Sequence, residues 1–192
     1  MPEAQAAPST FDPTLGVFVE MAHRPASLSP VYVASLAPVQ RALLVIDGTV
    51  TKFLEAYYLE PVAVQRLQQV EDRASGFEAQ WLACDAGDVL LRRSVLLRGG
   101  SSQRVFAWAD SLLLPQRLTP AMRRGLETEP GGLGRIIIDS GLETRRECLW
   151  FGWQQVDEAQ APVVAGRYLA RSYRILAGGR PLMMVTERFT EF

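Results

Sequence analysis

Residues 167–189 read RYLARSYRILAGGRPLMMVTERF, and this stretch decides the fold. Two apolar-rich runs, 167–176 and 181–189, flank Gly178-Gly179. A Gly-Gly pair closes a tight hairpin because both positions accept positive φ. Strands joined by so short a turn can only pair antiparallel. The pattern repeats upstream, where runs 89–97 and 104–114 flank Gly99-Gly100-Ser101-Ser102. Runs 62–67 and 144–154 read as two more strands, so about six antiparallel strands are expected.

Helical spacing fills the rest. Within residues 34–46, Leu36, Val39, Leu43 and Leu44 recur on one helical face. Asp47-Gly48 ends that segment, with Gly in the natural position past a helix C-terminus. Thr49 or Thr51 then caps a second helical turn carrying Phe53, Leu54 and Tyr57. Thr119-Pro120 opens a helix over 119–126, as N-cap and first residue. The turn Gly131-Gly132-Leu133-Gly134 leads into a short apolar element, 135–139. Residues 13–23 read as a short helix or an extended arm, and 1–12 as a flexible tail. Strand runs with flanking helices make the chain an α+β domain built on an antiparallel sheet. With no internal repeat or linker, residues 1–192 form one unit.

Composition narrows the function. The 192 residues are 48% hydrophobic and 21% charged, which excludes bulk disorder. A chain of this size buries roughly 70% of its unfolded surface. A net charge of −1 without a basic stripe argues against a nucleic-acid partner. The apolar run ALLVI at 42–46 is far short of the roughly 18 residues that span a bilayer. The N-terminal residues carry no cationic and apolar signal pattern, and Cys84 and Cys148 form no CxxC pair. Reduced thiols and a cytoplasmic location are therefore expected. His23 is the one histidine and Lys52 the one lysine. A histidine triad or a zinc site has little to build on, and neither GxxxxGK[ST] nor GxGxxG occurs. Chemistry must rest on arginine, carboxylates and backbone amides.

Period-two alternation singles out two charges. Leu91, Arg93, Val95 and Leu97 share one strand face, which puts Arg93 in an apolar row. Met183, Val185, Glu187 and Phe189 share another, which puts Glu187 in one. Each buried charge needs a partner or a ligand. They could pair with each other or with nearby groups as structural ions. Alternatively they line a pocket where Arg93 clamps a carboxylate and Glu187 addresses a hydroxyl or moves a proton. Glu147, followed by Leu149, Phe151 and Trp153, has the same pattern, and alternation does not rank it below Glu187. The Gly131–Gly134 turn exposes backbone N–H groups that favour an anion. Lys52, in the first turn of a helix, reads by default as a solvated surface residue.

Taken in order, several segments resemble the chorismate pyruvate-lyase family, in the branch of mycobacteria, cyanobacteria and plastids. They are Gln40-Arg41-Ala42-Leu43-Leu44, Asp47-Gly48-Thr49-Val50-Thr51-Lys52, Leu91-Arg92-Arg93-Ser94-Val95-Leu96-Leu97, Val105-Phe106-Ala107-Trp108, Gly132-Leu133-Gly134, Arg171-Ser172-Tyr173-Arg174-Ile175 and Val185-Thr186-Glu187-Arg188-Phe189. The resemblance runs from about residue 36 to the end. It implies a cofactor-free lyase that turns chorismate into 4-hydroxybenzoate and pyruvate, with the product feeding a quinone or a phenolic lipid. It also implies that Arg93 binds the ring carboxylate, that Val50 and Leu133 contact it through backbone, and that Glu187 is the terminal-strand glutamate of the site. Lys52, or another arginine, could attract the second carboxylate. Two alternatives stay open: a non-catalytic sensing domain for aromatic carboxylates, which resembles the same fold, and a lyase acting on a related substrate.

Overall fold

The computed structural model describes residues 11–128, 132–158 and 164–190. Most of the expected tail, and Gly131, lie outside them. Among the described residues, seven strands form one sheet in the order β1-β5-β6-β7-β4-β3-β2, each neighbour antiparallel. They are β1 (Leu28–Ser29), β2 (Val62–Arg73), β3 (Val89–Gly99), β4 (Val105–Leu113), β5 (Arg145–Val156), β6 (Gly166–Ala177) and β7 (Arg180–Phe189). The expected strands are all present, and the seventh is the two-residue β1. Gly178 and Gly179 both adopt positive φ, 53° and 77°, as the β6–β7 hairpin requires.

Among the described residues, five α-helices accompany the sheet: α1 (Pro38–Val45), α2 (Val50–Tyr58), α3 (Gly76–Leu82), α4 (Pro120–Thr128) and α5 (Leu133–Asp139). The sheet is covered on both faces. On one, Trp81 and Leu82 of α3 pack against Leu90, Trp150, Ala170 and Met184. On the other, Met122 and Leu126 of α4 and Ile136 and Ile137 of α5 pack against Leu113, Tyr173, Met183 and Val185. Beside them Leu43, Val50 and Leu54 of α1 and α2 cover Leu97, Ala107 and Phe189. Met184 of β7 thus enters one core while Met183 and Val185 enter the other, and β6 and β7 are buried along most of their length. By contrast, β2 forms an edge and is largely exposed.

Helix ends depart from expectation in two places. Ile46, not Gly48, ends α1, in an extended conformation. The left-handed residue instead closes α2, at Leu59 (φ 54°). Thr49 is the N-cap residue of α2 but makes no side-chain capping bond. Helix α3 lies outside the elements that the sequence spacing predicts. Its signal is a capping box at Ser75 and Glu78: the Glu78 amide donates to Ser75 Oγ (3.3 Å), and the Ser75 amide donates to Glu78 Oε2 (2.9 Å).

Gly152 lets β1 dock. A Cβ there would sit 2.8 Å from the Ser29 carbonyl oxygen and 2.8 Å from Leu28 Cβ. Gly152→Ala should therefore push β1 off the sheet and cost about 1–3 kcal/mol, as overpacking typically does. The denaturant midpoint of the purified variant checks this, and an unchanged midpoint would contradict it.

Candidate active site

The α1, α2, α4, α5 face of the sheet carries two adjacent rungs of unusual composition. From β2 to β5, one reads Gln69, Arg93, Ser111, Val185, Tyr173, Cys148, and the next Arg66, Val95, Ala109, Glu187, Arg171, Phe151. Arg93, Ser111, Tyr173, Arg171 and Glu187 are all buried. Alternation had selected Arg93 and Glu187, and both do face inward.

Glu187 is held by its own strand neighbours. Arg171 Nε donates to Oε2 at 2.9 Å, and the Tyr173 hydroxyl donates to Oε1 at 3.1 Å. The ion pair is almost wholly dry, with Arg171 1% and Glu187 8% exposed. Arg171 spends its Nη1 on two carbonyls at the end of α1, Leu44 (3.1 Å) and Ile46 (3.0 Å). These are orphan acceptors of a helix terminus. Arg171 therefore supplies the α1 C-cap that Gly48 does not. Burial opposes its charge, but Glu187 outweighs that and holds the guanidinium above its ordinary value. Burial first, and then the Glu187 charge, push the Tyr173 phenol well up.

Arg93 is 3% exposed and donates from Nη1 to Gln69 Oε1 at 2.7 Å. Burial, and then the like charge of Arg66, lower its pKa. The ion partner of Glu187 is Arg171 and not Arg93, so the two charges are not one structural pair.

Both face one cavity of about 60 Å³, lined by Arg93 and Glu187 with Ser111, Tyr173, Arg146 and the starts of α2 and α5. Val50 and Leu133 are among its walls. Each is the first residue of its helix, where the backbone N–H has no partner within the helix. Gly134 allows the two helix starts to meet, since a Cβ there would lie 2.6 Å from Thr49 Cγ2. Thr49, Thr51 and Gly132 also border an outer groove of about 490 Å³.

Lys52 lies apart from the cavity. It lines the outer groove, is 75% exposed, and pairs with Glu55 at 2.7 Å. Glu147 is on the opposite face of the sheet. A bulge between Cys148 and Trp150 inverts the phase of β5, so Glu147 stands opposite Arg174 while Phe151 stands opposite Arg171. Arg174 Nε donates to Glu147 at 2.9 Å. Burial raises the Glu147 pKa, but that bond and charge win and hold it low. The same bulge brings Arg146 to the cavity side, along with Cys148. Sequence reading missed Arg146, Arg171 and Tyr173. Arg171 and Tyr173 had a usable signal, since they alternate through a buried central strand.

An antiparallel sheet flanked by helices is a known small-domain architecture. The effector domain of PhnF from Mycobacterium smegmatis superposes with a TM-score of 0.60 at 15% identity, covering 74% of this chain and 88% of that one. A GntR-family transcriptional regulator from Bacillus cereus gives 0.52 at 12% identity, covering 68% and 95%. These likenesses concern the fold. The Rv2949c-like chorismate pyruvate-lyase family model matches residues 44–191, and the chain belongs to that family. It is 33% identical over 159 residues to the chorismate pyruvate-lyase of Mycobacterium tuberculosis strain H37Rv, covering 78% of both chains. The Mycobacterium leprae chorismate pyruvate-lyase is 31% identical over 155 residues, covering 78% and 72%.

Removing one member of the buried pair leaves the other charge stranded. Arg171→Met should cost about 3–5 kcal/mol, and the double variant Arg171→Met, Glu187→Leu much less. Denaturant titration of the single and double variants checks this coupling. An alkaline titration followed by tyrosine absorbance tests Tyr173. Because its folded pKa is raised, its contribution is full below the unfolded tyrosine value of about 10 and is lost as pH climbs towards the folded value. Tyr173 should be the last tyrosine to ionise, and that late step should vanish in Tyr173→Phe.

Proposed function

We propose that the protein is a lyase that converts chorismate into 4-hydroxybenzoate and pyruvate. The observation that carries this reading is the convergence of Arg93 and Glu187, from strands separated by β4, on one cavity with the first residues of α2 and α5. Family membership and the names of the curated relatives support it.

The residues match the substrate part by part. Arg93 offers a buried guanidinium for the ring carboxylate, with a fork that favours bidentate binding. The Val50 and Leu133 amides add neutral donors to the same group. Glu187 has one hydrogen bond on each oxygen, and a carboxylate has about four acceptor sites. Each oxygen can therefore still accept a bond from the C4 hydroxyl.

The reaction removes the C4 hydrogen and breaks the C3–O bond to the enolpyruvyl group. The electron pair of the C–H bond completes the aromatic ring. The leaving enolpyruvate takes up a proton and ketonises to pyruvate. Aromatisation provides the driving force, so the chain's task is to orient the dianion, hold the reactive conformer and exclude water. Glu187 is the group placed to assist the proton transfer. Lys52, exposed and paired with Glu55, has no part in this scheme.

Purified protein mixed with chorismate should release equal amounts of 4-hydroxybenzoate and pyruvate above the spontaneous background. Arg93→Ala should lower kcat/KM by about 100-fold or more, since loss of one partner of a buried charge contact costs roughly 2–5 kcal/mol. Glu187→Gln should lower kcat while 4-hydroxybenzoate still binds. Tight 4-hydroxybenzoate binding without turnover would place the protein among sensing domains instead. That alternative is favoured only by the fold shared with regulator domains.

A further inference from the structure

We propose that Arg146 binds the enolpyruvyl carboxylate of chorismate and so distinguishes the substrate from its product. The assignment rests on the lyase reading above and deepens it.

Arg146 is the second arginine, with Arg93, whose side chain lines the cavity from the sheet and is not committed to Glu187. Its Nε is buried and has no hydrogen-bond partner among the described residues. Its Nη1 contacts the Asp47 carbonyl at 3.3 Å. The Asp47 carboxylate is 4.0 Å away and 85% exposed, too wet and too distant to satisfy a guanidinium. The Tyr173 ring lies beneath the guanidinium, 5.6 Å from its carbon. A buried N–H without an acceptor is costly, and at a cavity wall a ligand can supply the missing oxygen.

The order of groups across the sheet gives the direction. Arg93 is on β3, Glu187 on β7, Tyr173 on β6 and Arg146 on β5, in the strand order β3-β4-β7-β6-β5. At about 4.8 Å per strand, Arg93 and Arg146 rise from backbones roughly 19 Å apart. Chorismate carries its ring carboxylate at C1, its hydroxyl at C4 opposite, and the enolpyruvyl ether at C3 beside that hydroxyl. A ring laid with its carboxylate on Arg93 and its hydroxyl on Glu187 sends the enolpyruvyl arm past Glu187 towards β5. Arg146 is the cation there. 4-Hydroxybenzoate has no such arm, so it forgoes this contact. Arg146 thus adds binding that exists before bond cleavage and disappears once pyruvate leaves.

The test compares wild type, Arg146→Gln and Arg146→Lys as full chains, measuring chorismate kinetics and the 4-hydroxybenzoate dissociation constant. Arg146→Gln should lower kcat/KM for chorismate about 10- to 100-fold, the range for losing a charge-assisted bond, with 4-hydroxybenzoate affinity held within about twofold. Arg146→Lys should recover part of the loss, because it keeps the charge without the fork. If Arg146→Gln does not fold, Arg146→Lys alone must still show weakened chorismate use beside intact product binding. Unchanged chorismate kinetics would overturn the assignment. So would a parallel loss of product binding that lysine fails to rescue, the mark of a structural role. Absence of turnover in the wild type would overturn the lyase reading first, and the Arg146 assignment with it.

Discussion

The buried contact between Arg171 and Glu187 is the constraint on which the rest depends. Two ions removed from water need partners or the fold loses several kcal/mol. Arg171 finds them with three bonds in two directions, one to Glu187 on β7 and two to carbonyls at the end of α1, while its buried Nη2 has no partner among the described residues. The helix is thereby fixed to the centre of the sheet. The chain then leaves α1 at Ile46 and re-enters a helix at Val50, so this anchor lies shortly before the first residue of α2. Tyr173 completes the arrangement by donating to the other oxygen of Glu187. One pair of side chains therefore sets both a helix end and the orientation of a cavity carboxylate.

The two faces of the sheet use charge differently. Beneath α3, Arg92 is bonded to Glu78 at 2.6 and 3.0 Å, and Arg174 to Glu147. Those pairs connect strand to helix or strand to strand, and they leave the space between filled with Trp81, Trp150 and Leu82. On the other face the charges surround a cavity instead. Arg93 and Arg146 enter it from opposite ends, with Glu187 between them in strand order. Buried charge is fully paired on the first face, whereas on the second it both anchors α1 through Arg171 and lines a cavity.

The likeness to regulator structures concerns the fold alone, and a fold does not fix a function. What distinguishes the lyase reading is the set of groups around the cavity, not the architecture. An antiparallel sheet covered by helices keeps its central strands dry, and a central strand can present a carboxylate without exposing it to bulk water. The helix starts supply amide donors at the rim. That combination suits an elimination that needs orientation and exclusion of water more than an added reagent.

Much of this was legible in the chain itself. The hairpin glycines and strand runs gave the sheet, because turn chemistry and period-two alternation are local properties of the backbone. Alternation also put Arg93 and Glu187 on apolar faces, and both are buried there. The Ser75–Glu78 capping box that opens α3 is likewise a local signal. Other features were not local. Glu147 and Glu187 have the same pattern in sequence, and only the β5 bulge at Leu149 separates them, sending Glu147 to Arg174 and Arg146 to the cavity. A bulge depends on pairing with another strand, and no reading of one strand reveals it. The partner of Glu187 was equally hidden, since Arg171 sits 16 residues away and finds it through the β6–β7 register. The sequence by itself determined most of the elements and marked Arg93 and Glu187 for burial, because burial follows from local alternation. The tertiary structure alone decided which charges pair and which face the cavity, because pairing depends on register, bulges and the approach of helices from elsewhere in the chain.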